Sequence, residues 1–215
     1  HQDRRVALPG FDAASSAANL LRRSERILVV NGSGVSPGIP GFEAFFEALG
    51  EQERCGLPEA EALFDPGRFV HQPAPLLSYA RTLMPGTHQP SLSHRFVREL
   101  EKRGKLLRVY SQNLDGLERA AGIERVVQCH GTLATASCVA CRHRVALDAS
   151  ILDAGADETD GPPRCRECTH TLNVLKPDVG FLGELPASVE TEAALRQDLP
   201  ICDLLVVLGS SLAVD

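Results

Sequence analysis

Four cysteines fall in two C-x-x-C pairs, Cys138/Cys141 and Cys165/Cys168, with residues 142 to 164 between them. Two intervening residues let a tight turn aim both sulfurs at one ion. Two such turns complete a tetrahedral thiolate site, which suits zinc. The loop between the pairs is somewhat longer than the usual ~15–20 residues, but loop length adds little closure entropy. Four thiolates close the coordination shell, so the expected zinc is structural and His143 and His170 are surface residues. A redox-active C-x-x-C, or two unrelated pairs, is the competing reading. The chain has seven cysteines, an odd number in a sequence long enough to fold without disulfide staples. That pattern fits an intracellular metal site with three separate thiols.

A length of 215 residues fits one large domain or one domain with a small inserted module. Hydrophobic residues at 43% can build a sizeable core and exclude wholesale disorder. The longest apolar runs, 27–30 and 204–208, are far short of the ~18 residues a membrane span needs. With 22 basic and 28 acidic residues, the net charge is −6. This argues against a nucleic-acid or membrane-surface binder and leaves room for a basic peptide partner. Residues 1–5 lack an initiator Met and a secretory signal, so the chain reads as a fragment of a longer intracellular protein.

Apolar runs alternate with helical patterns. Asp12 opens a first helix that carries Leu20 and Leu21 near its end, and 27–30 is a strand running into Asn31-Gly32-Ser33-Gly34. Eight prolines between 37 and 90 predict short helices broken by turns. The spacing predicts a helix over 91–103, with Leu92, Phe96 and Leu100 on one face and Gly104 as its stop. Buried strands are predicted over 106–110 and 202–208, and a helix over 188–197. The fold class is therefore α/β with a parallel sheet, whose ligands bind beyond the carboxyl ends of the strands.

Three small polar loops follow strands. Gly32 and Gly34 allow backbone to approach a phosphate, although a tight turn explains them equally well. Gln112-Asn113-Leu114-Asp115 places amides and a carboxylate where they can bond a ribose or carboxamide; loop capping by Asn and Asp is the plainer alternative. His130 follows Val126-Val127 and could take a proton near neutral pH, although a lone His is more often structural. Its neighbour Cys129 points the other way on an extended chain and reads as a small core hydrophobe.

In this order, the motifs resemble the sirtuin family of NAD-dependent protein lysine deacylases. The matching stretches are 32–42, 111–117, 129–131, the cysteine pairs, 176–184 and 209–212. The run 104–113 looks most like the fungal branch that deacetylates histone. The resemblance implies a Rossmann-like NAD-binding domain (1–39, 91–133 and 172–215), a cofactor loop and helical module (40–90) and a zinc-binding module (134–171). It implies NAD and zinc as cofactors, an acylated lysine peptide as partner with histone among the candidates, and a nuclear setting. By position, His130 would be the general base, with Asn113 and Asp115 lining the nicotinamide and ribose pocket beside Gln112. Gly32, Ser33 and Gly34 would face the diphosphate, with Val35 and Phe42 in the same loop, and Gly209, Ser210 and Ser211 the adenosine. Val179, Gly180 and Phe181 would pair with the substrate as an added strand, and Cys138, Cys141, Cys165 and Cys168 would hold the zinc.

The chain departs from the family pattern in the cofactor loop. Only Pro37 separates Ser36 from Gly38, two residues fewer than usual. Gly41 and Glu43 stand where the family has an acid and an arginine, and Glu43 would repel a diphosphate if it faced inward. Gly180 stands where a branched apolar residue is expected. Three functions are therefore carried forward. The first is a deacylase releasing nicotinamide and O-acetyl-ADP-ribose. The others are a weakened relative acting as a binding module, and the same scaffold recruited to other chemistry.

Overall fold

The computed structural model describes residues 12–50, 56–84, 86–153, 161–183 and 188–212. Glu184, the last residue of the 176–184 motif, lies outside them. In chain order the elements are α1 (Ala13–Arg23), β1 (Ile27–Asn31), α2 (Phe42–Ala48), α3 (Pro66–His71), α4 (Ala74–Thr82), α5 (Leu92–Lys102), β2 (Leu106–Ser111) and α6 (Leu117–Ala120). They continue with β3 (Val126–Gln128), β4 (Gly131–Cys138), β5 (Arg144–Ala146), α7 (Ala149–Asp153), β6 (Leu175–Val179), α8 (Ser188–Asp198) and β7 (Leu204–Leu208).

Four strands form a parallel sheet in the order β3-β2-β1-β7. The chain winds outward from β1 in both directions, so a topological switch point lies beside β1, where α/β sheets open a crevice. The core on this sheet joins Ile27, Val29, Leu106 and Val109 to Val97, Leu100 and Ile123. The expected face of α5 needs one correction. Leu92 is 79% exposed, and the buried residues are His94, Val97 and Leu100, so the buried stripe starts at the third helical residue and leaves Leu92 on the solvent side. Gly104 does stop the helix, in the left-handed region at φ +71. At the other end of the sheet, β7 is less buried than its composition suggests. Leu205 and Val207 are exposed, because β7 has only β1 as neighbour among the described residues.

A second, antiparallel sheet has the order β5-β4-β6. Its apolar face meets the proline-broken helices: Phe69, Leu76, Leu77 and Tyr79 pack with Leu133, Val174, Val179 and Phe181. Phe181 meets Phe69 edge-on at 5.5 Å. β4 starts one residue after His130, so the small sheet grows directly from the ligand-facing end of β3. No helix is long and apolar enough to cross a membrane among the described residues.

Candidate active site and metal centre

The registers of the parallel sheet bring its strand ends level. Asn31 pairs with Ser111 and with Leu208, and Ser111 pairs with Gln128. The four loops that follow therefore emerge side by side. They carry the glycine run after β1, Gln112 to Asp115 after β2, His130 after β3, and Gly209 to Ser211 after β7.

Hydrogen bonds stitch these loops together. The Ser210 hydroxyl donates to Gln112 Oε1 at 2.7 Å, and Asn113 Nδ2 donates to the Gly32 carbonyl at 3.2 Å. The Ser36 hydroxyl donates to Asp115 Oδ2 at 2.6 Å, and Leu117 N–H donates to Oδ1 of the same carboxylate at 2.9 Å. Asp115 thus fixes the shortened loop to the start of α6. Beside it, a cleft of about 190 Å³ is lined by Ser36, Ile39, His88, Gln89 and Leu117. Enclosed small-molecule sites run to ~300–1,000 Å³, so this cleft has room for only part of a dinucleotide.

The glycines sit where the loops after β1 and β7 meet. A Cβ on Gly32 would lie 2.6 Å from the Gly209 carbonyl oxygen, and one on Gly34 would lie 2.8 Å from Gly209 Cα. The glycines let the loops after β1 and β7 touch. The N–H groups of Gly32, Gly34, Val35 and Ser36 already bond Leu208, Gly209, Gly32 and Ser33 carbonyls. The loop is held by these backbone bonds and leaves Ser33 exposed. Val35 is buried beneath it, and Ser211 is exposed.

Beneath Asn113 lies a polar ring that sequence reasoning missed. Glu118 Oε1 accepts from the Ser111 hydroxyl at 2.7 Å and from Asn31 Nδ2 at 3.3 Å. Ser111 Oγ in turn accepts from the Asn113 N–H at 3.2 Å. Together with the Asn113 bond to Gly32, the ring closes from β1 through α6 to β2 and back. Asn31, Ser111 and Glu118 are all buried. Buried His94 completes the group, with Nε2 3.9 Å from Glu118 Oε1. The available signal was Glu118 itself, an acid three residues after Asp115 and next to the apolar Leu117.

His130 is exposed, and its carbonyl accepts from Gly180 N–H at 2.9 Å. Burial among neighbouring atoms still lowers its pKa below the ordinary histidine value, because desolvation disfavours the imidazolium. The thiol of Cys129 is pushed up to about 11 by burial, so it stays protonated and inert near neutral pH. Glu43 lies exposed in the first turn of α2, and Phe42 stacks edge-on against Phe64 at 5.5 Å. Tyr79 is raised to about 12, by burial first and then by the negative charges of Glu43 and Asp115. Glu43 and Asp115 therefore both act on the Tyr79 hydroxyl.

The Sir2 family profile matches residues 31–215. The chain belongs to the Sir2, or sirtuin, family. It is 38% identical to the NAD-dependent histone deacetylase sirtuin-1 of Drosophila melanogaster, over 98% of this chain and 28% of that protein. It is 40% identical to the human NAD-dependent protein deacetylase sirtuin-1, over 95% of this chain and 28% of the other. The mouse sirtuin-3 deacetylase is also 40% identical, over 90% of this chain and 57% of its own length. A solved structure from work on the structural basis of sirtuin substrate affinity superposes with a TM-score of 0.72 at 25% identity, covering 93% of this chain and 78% of that one. The chain thus spans under a third of the length of the fly and human sirtuins.

The cysteine pairs converge as the spacing predicts. Cys138 Sγ lies 3.8 Å from Cys168 Sγ, Cys141 Sγ lies 3.8 Å from Cys165 Sγ, and all four sulfurs fall within 4.8 Å of one another. A zinc tetrahedron with ~2.3 Å bonds has edges of about 3.8 Å, so the donor set fits zinc. All four cysteines are free thiols, which excludes disulfide pairing. The first turn closes with Arg142 at φ +62, and Cys141 N–H points at Cys138 Sγ. Burial alone would raise the Cys138 thiol, but amide N–H groups of Cys141 and Ala140 and adjacent thiols outweigh it and bring it to about 7. His170 Nδ1 accepts from Leu172 N–H, in keeping with a surface histidine.

Proposed function

We propose that the chain is an NAD-dependent protein lysine deacylase, with NAD lying across the carboxyl ends of β1, β2 and β7 and the acylated lysine entering beside His130. The observation that carries this reading is the cross-bonded set of loops. Gln112 is held by Ser210, Asn113 by Gly32 and Asp115 by Ser36, so the groups expected at a ribose and a carboxamide are fixed before any ligand binds. Such preorganisation lowers the cost of positioning. When bound, NAD supplies the electrophilic ribose carbon and the hydroxyl that receives the acyl group.

The chain's own residues do the rest. Asn113 and Asp115 orient the nicotinamide end, and Gln112 reaches the ribose. His130 takes the ribose hydroxyl proton on an imidazole that its surroundings keep neutral. The strand 179–181 offers backbone to an acylated lysine peptide. Cys138, Cys141, Cys165 and Cys168 hold a structural zinc that shapes the small sheet but does not reach the reacting atoms. The histone named for the fly relative supports a histone substrate and a nuclear setting. A second reading, a binding module with slowed turnover, is favoured by Gly41 and Glu43 in the cofactor loop.

The test is nicotinamide release from NAD with an acetyl-lysine peptide, by the parent chain and by His130→Ala. The parent should release nicotinamide, and the variant should bind NAD yet transfer no acyl group. NAD binding without release by the parent would favour the binding module. No NAD binding at all would favour recruitment to other chemistry.

A further inference from the structure

Asp115 and Asn113 are held in place by different means. The Asp115 carboxylate takes its bonds from the loop around it, one from the Ser36 hydroxyl and one from Leu117 N–H. Asn113 rests on a buried side chain two steps away. Its backbone N–H lies past the end of β2 and donates to Ser111 Oγ at 3.2 Å. The Ser111 hydroxyl in turn donates to Glu118 Oε1 at 2.7 Å. Ser111 and Glu118 are both buried, so solvent does not compete for these bonds.

Fixed donors set the direction of this series. The Asn31 amide nitrogen carries only hydrogens, and it donates to the same Glu118 oxygen at 3.3 Å. His94 adds a second donor. Its Nδ1 accepts from Ser91 N–H at 3.1 Å in the capping box of α5, which assigns the ring proton to Nε2. That Nε2 lies 3.9 Å from Glu118 Oε1, and both side chains are buried. Facing donors from β1 and α5, Oε1 serves as an acceptor. Ser111 therefore turns its proton toward Glu118, which leaves the hydroxyl lone pairs for Asn113 N–H.

We propose that Glu118, with His94 behind it, is a positioning residue that acts through Ser111 to hold Asn113 at the nicotinamide end of NAD. The inference rests on the deacylase reading and adds to it residues that touch neither cofactor nor substrate. Asn113 is pinned at two points, its N–H by this series and its Nδ2 by the Gly32 carbonyl at 3.2 Å. Without the first, the residue can pivot about the second. A misplacement of about 1 Å costs on the order of a hundredfold in rate.

The experiment uses the whole chain with Ser111→Ala, which cuts the series, and Glu118→Gln, which keeps an acceptor. It reads kcat and KM for NAD in nicotinamide release with an acetyl-lysine peptide, thermal melting, and amide hydrogen exchange of Asn113. Exchange is normalised to Val109, whose N–H bonds the Arg125 carbonyl in the same sheet. Ser111→Ala should lower kcat by about tenfold to a hundredfold, with KM for NAD within about twofold. Normalised exchange at Asn113 should rise by about tenfold, the worth of one hydrogen bond. Glu118→Gln should keep kcat within about threefold of the parent and should keep Asn113 protected. A merely structural role would lower the melting temperature and leave kcat per folded molecule unchanged. If Ser111→Ala does not fold, Ser111→Cys, which keeps the shape and weakens the bond, is read in its place. An unchanged kcat, a loss confined to KM, or unchanged normalised exchange at Asn113 would overturn the proposal. If the parent itself releases no nicotinamide, the deacylase reading fails, and the exchange ratio still decides whether Glu118 holds Asn113.

Discussion

His130 and Glu118 carry the account at the level of single residues. Burial holds His130 below its ordinary value of 6.5. Its neutral form is favoured in the fold, so its contribution to stability is full above 6.5 and is lost as the pH falls through the lower folded value. In its proposed role as base, His130 would keep its neutral form to lower pH than an ordinary histidine. The acidic limb of kcat/KM against pH should therefore have its midpoint below 6.5, and a midpoint above it would mean that another group is being read. Glu118 acts out of sight of solvent. Glu118→Ala would leave the Ser111 hydroxyl and Asn31 Nδ2 buried without their shared acceptor, at a cost of about 1–3 kcal/mol for each group so stranded. Chemical denaturation should show a loss on that scale, with Glu118→Gln milder because its carbonyl can still accept both bonds. Equal stability of Glu118→Ala and the parent would show that the ring does not hold the strand ends.

Individual elements differ in how openly the sequence announces them. The zinc-binding turns were legible because C-x-x-C spacing is nearly a geometric instruction, and the sulfurs meet at tetrahedral distances. Metal analysis should find one zinc per chain, and Cys165→Ser should lower thermal stability while leaving residual protein metal-poor. A metal-free protein with an unchanged melting temperature would contradict that. The strand ends were legible from apolar runs closing on small polar residues. The uses of the glycines were not, because loop-to-loop contact between Gly32 and Gly209 depends on partners far apart in sequence. The ring around Glu118 was hidden for the same reason. The cofactor loop is where sequence and geometry pull against each other. Gly41 is the N-cap of α2 but lends it no side-chain bond, and Glu43 follows in the first turn. The double change Gly41→Asp with Glu43→Arg should tighten NAD by roughly tenfold to a hundredfold, the worth of one charge-assisted bond of about 1.5–3 kcal/mol. An unchanged NAD dissociation constant would mean that this loop does not address the diphosphate.

For the whole molecule, the parallel sheet levels the loop ends and the antiparallel sheet continues the chain from His130. Parallel strands in level register bring Asn31, Ser111, Gln128 and Leu208 side by side, and the antiparallel sheet continues from His130 to lay Val179 and Gly180 along the same opening. In the proposed reaction, acyl removal consumes NAD at that shared opening. The most direct measurement is the ratio of nicotinamide released to lysine deacylated, with the purified chain, NAD and an acyl-lysine peptide. The expected coupling is one nicotinamide for each lysine uncovered, with neither product formed when NAD or peptide is left out. Deacylation that proceeds without NAD, or nicotinamide released at the same rate without the peptide, would contradict it.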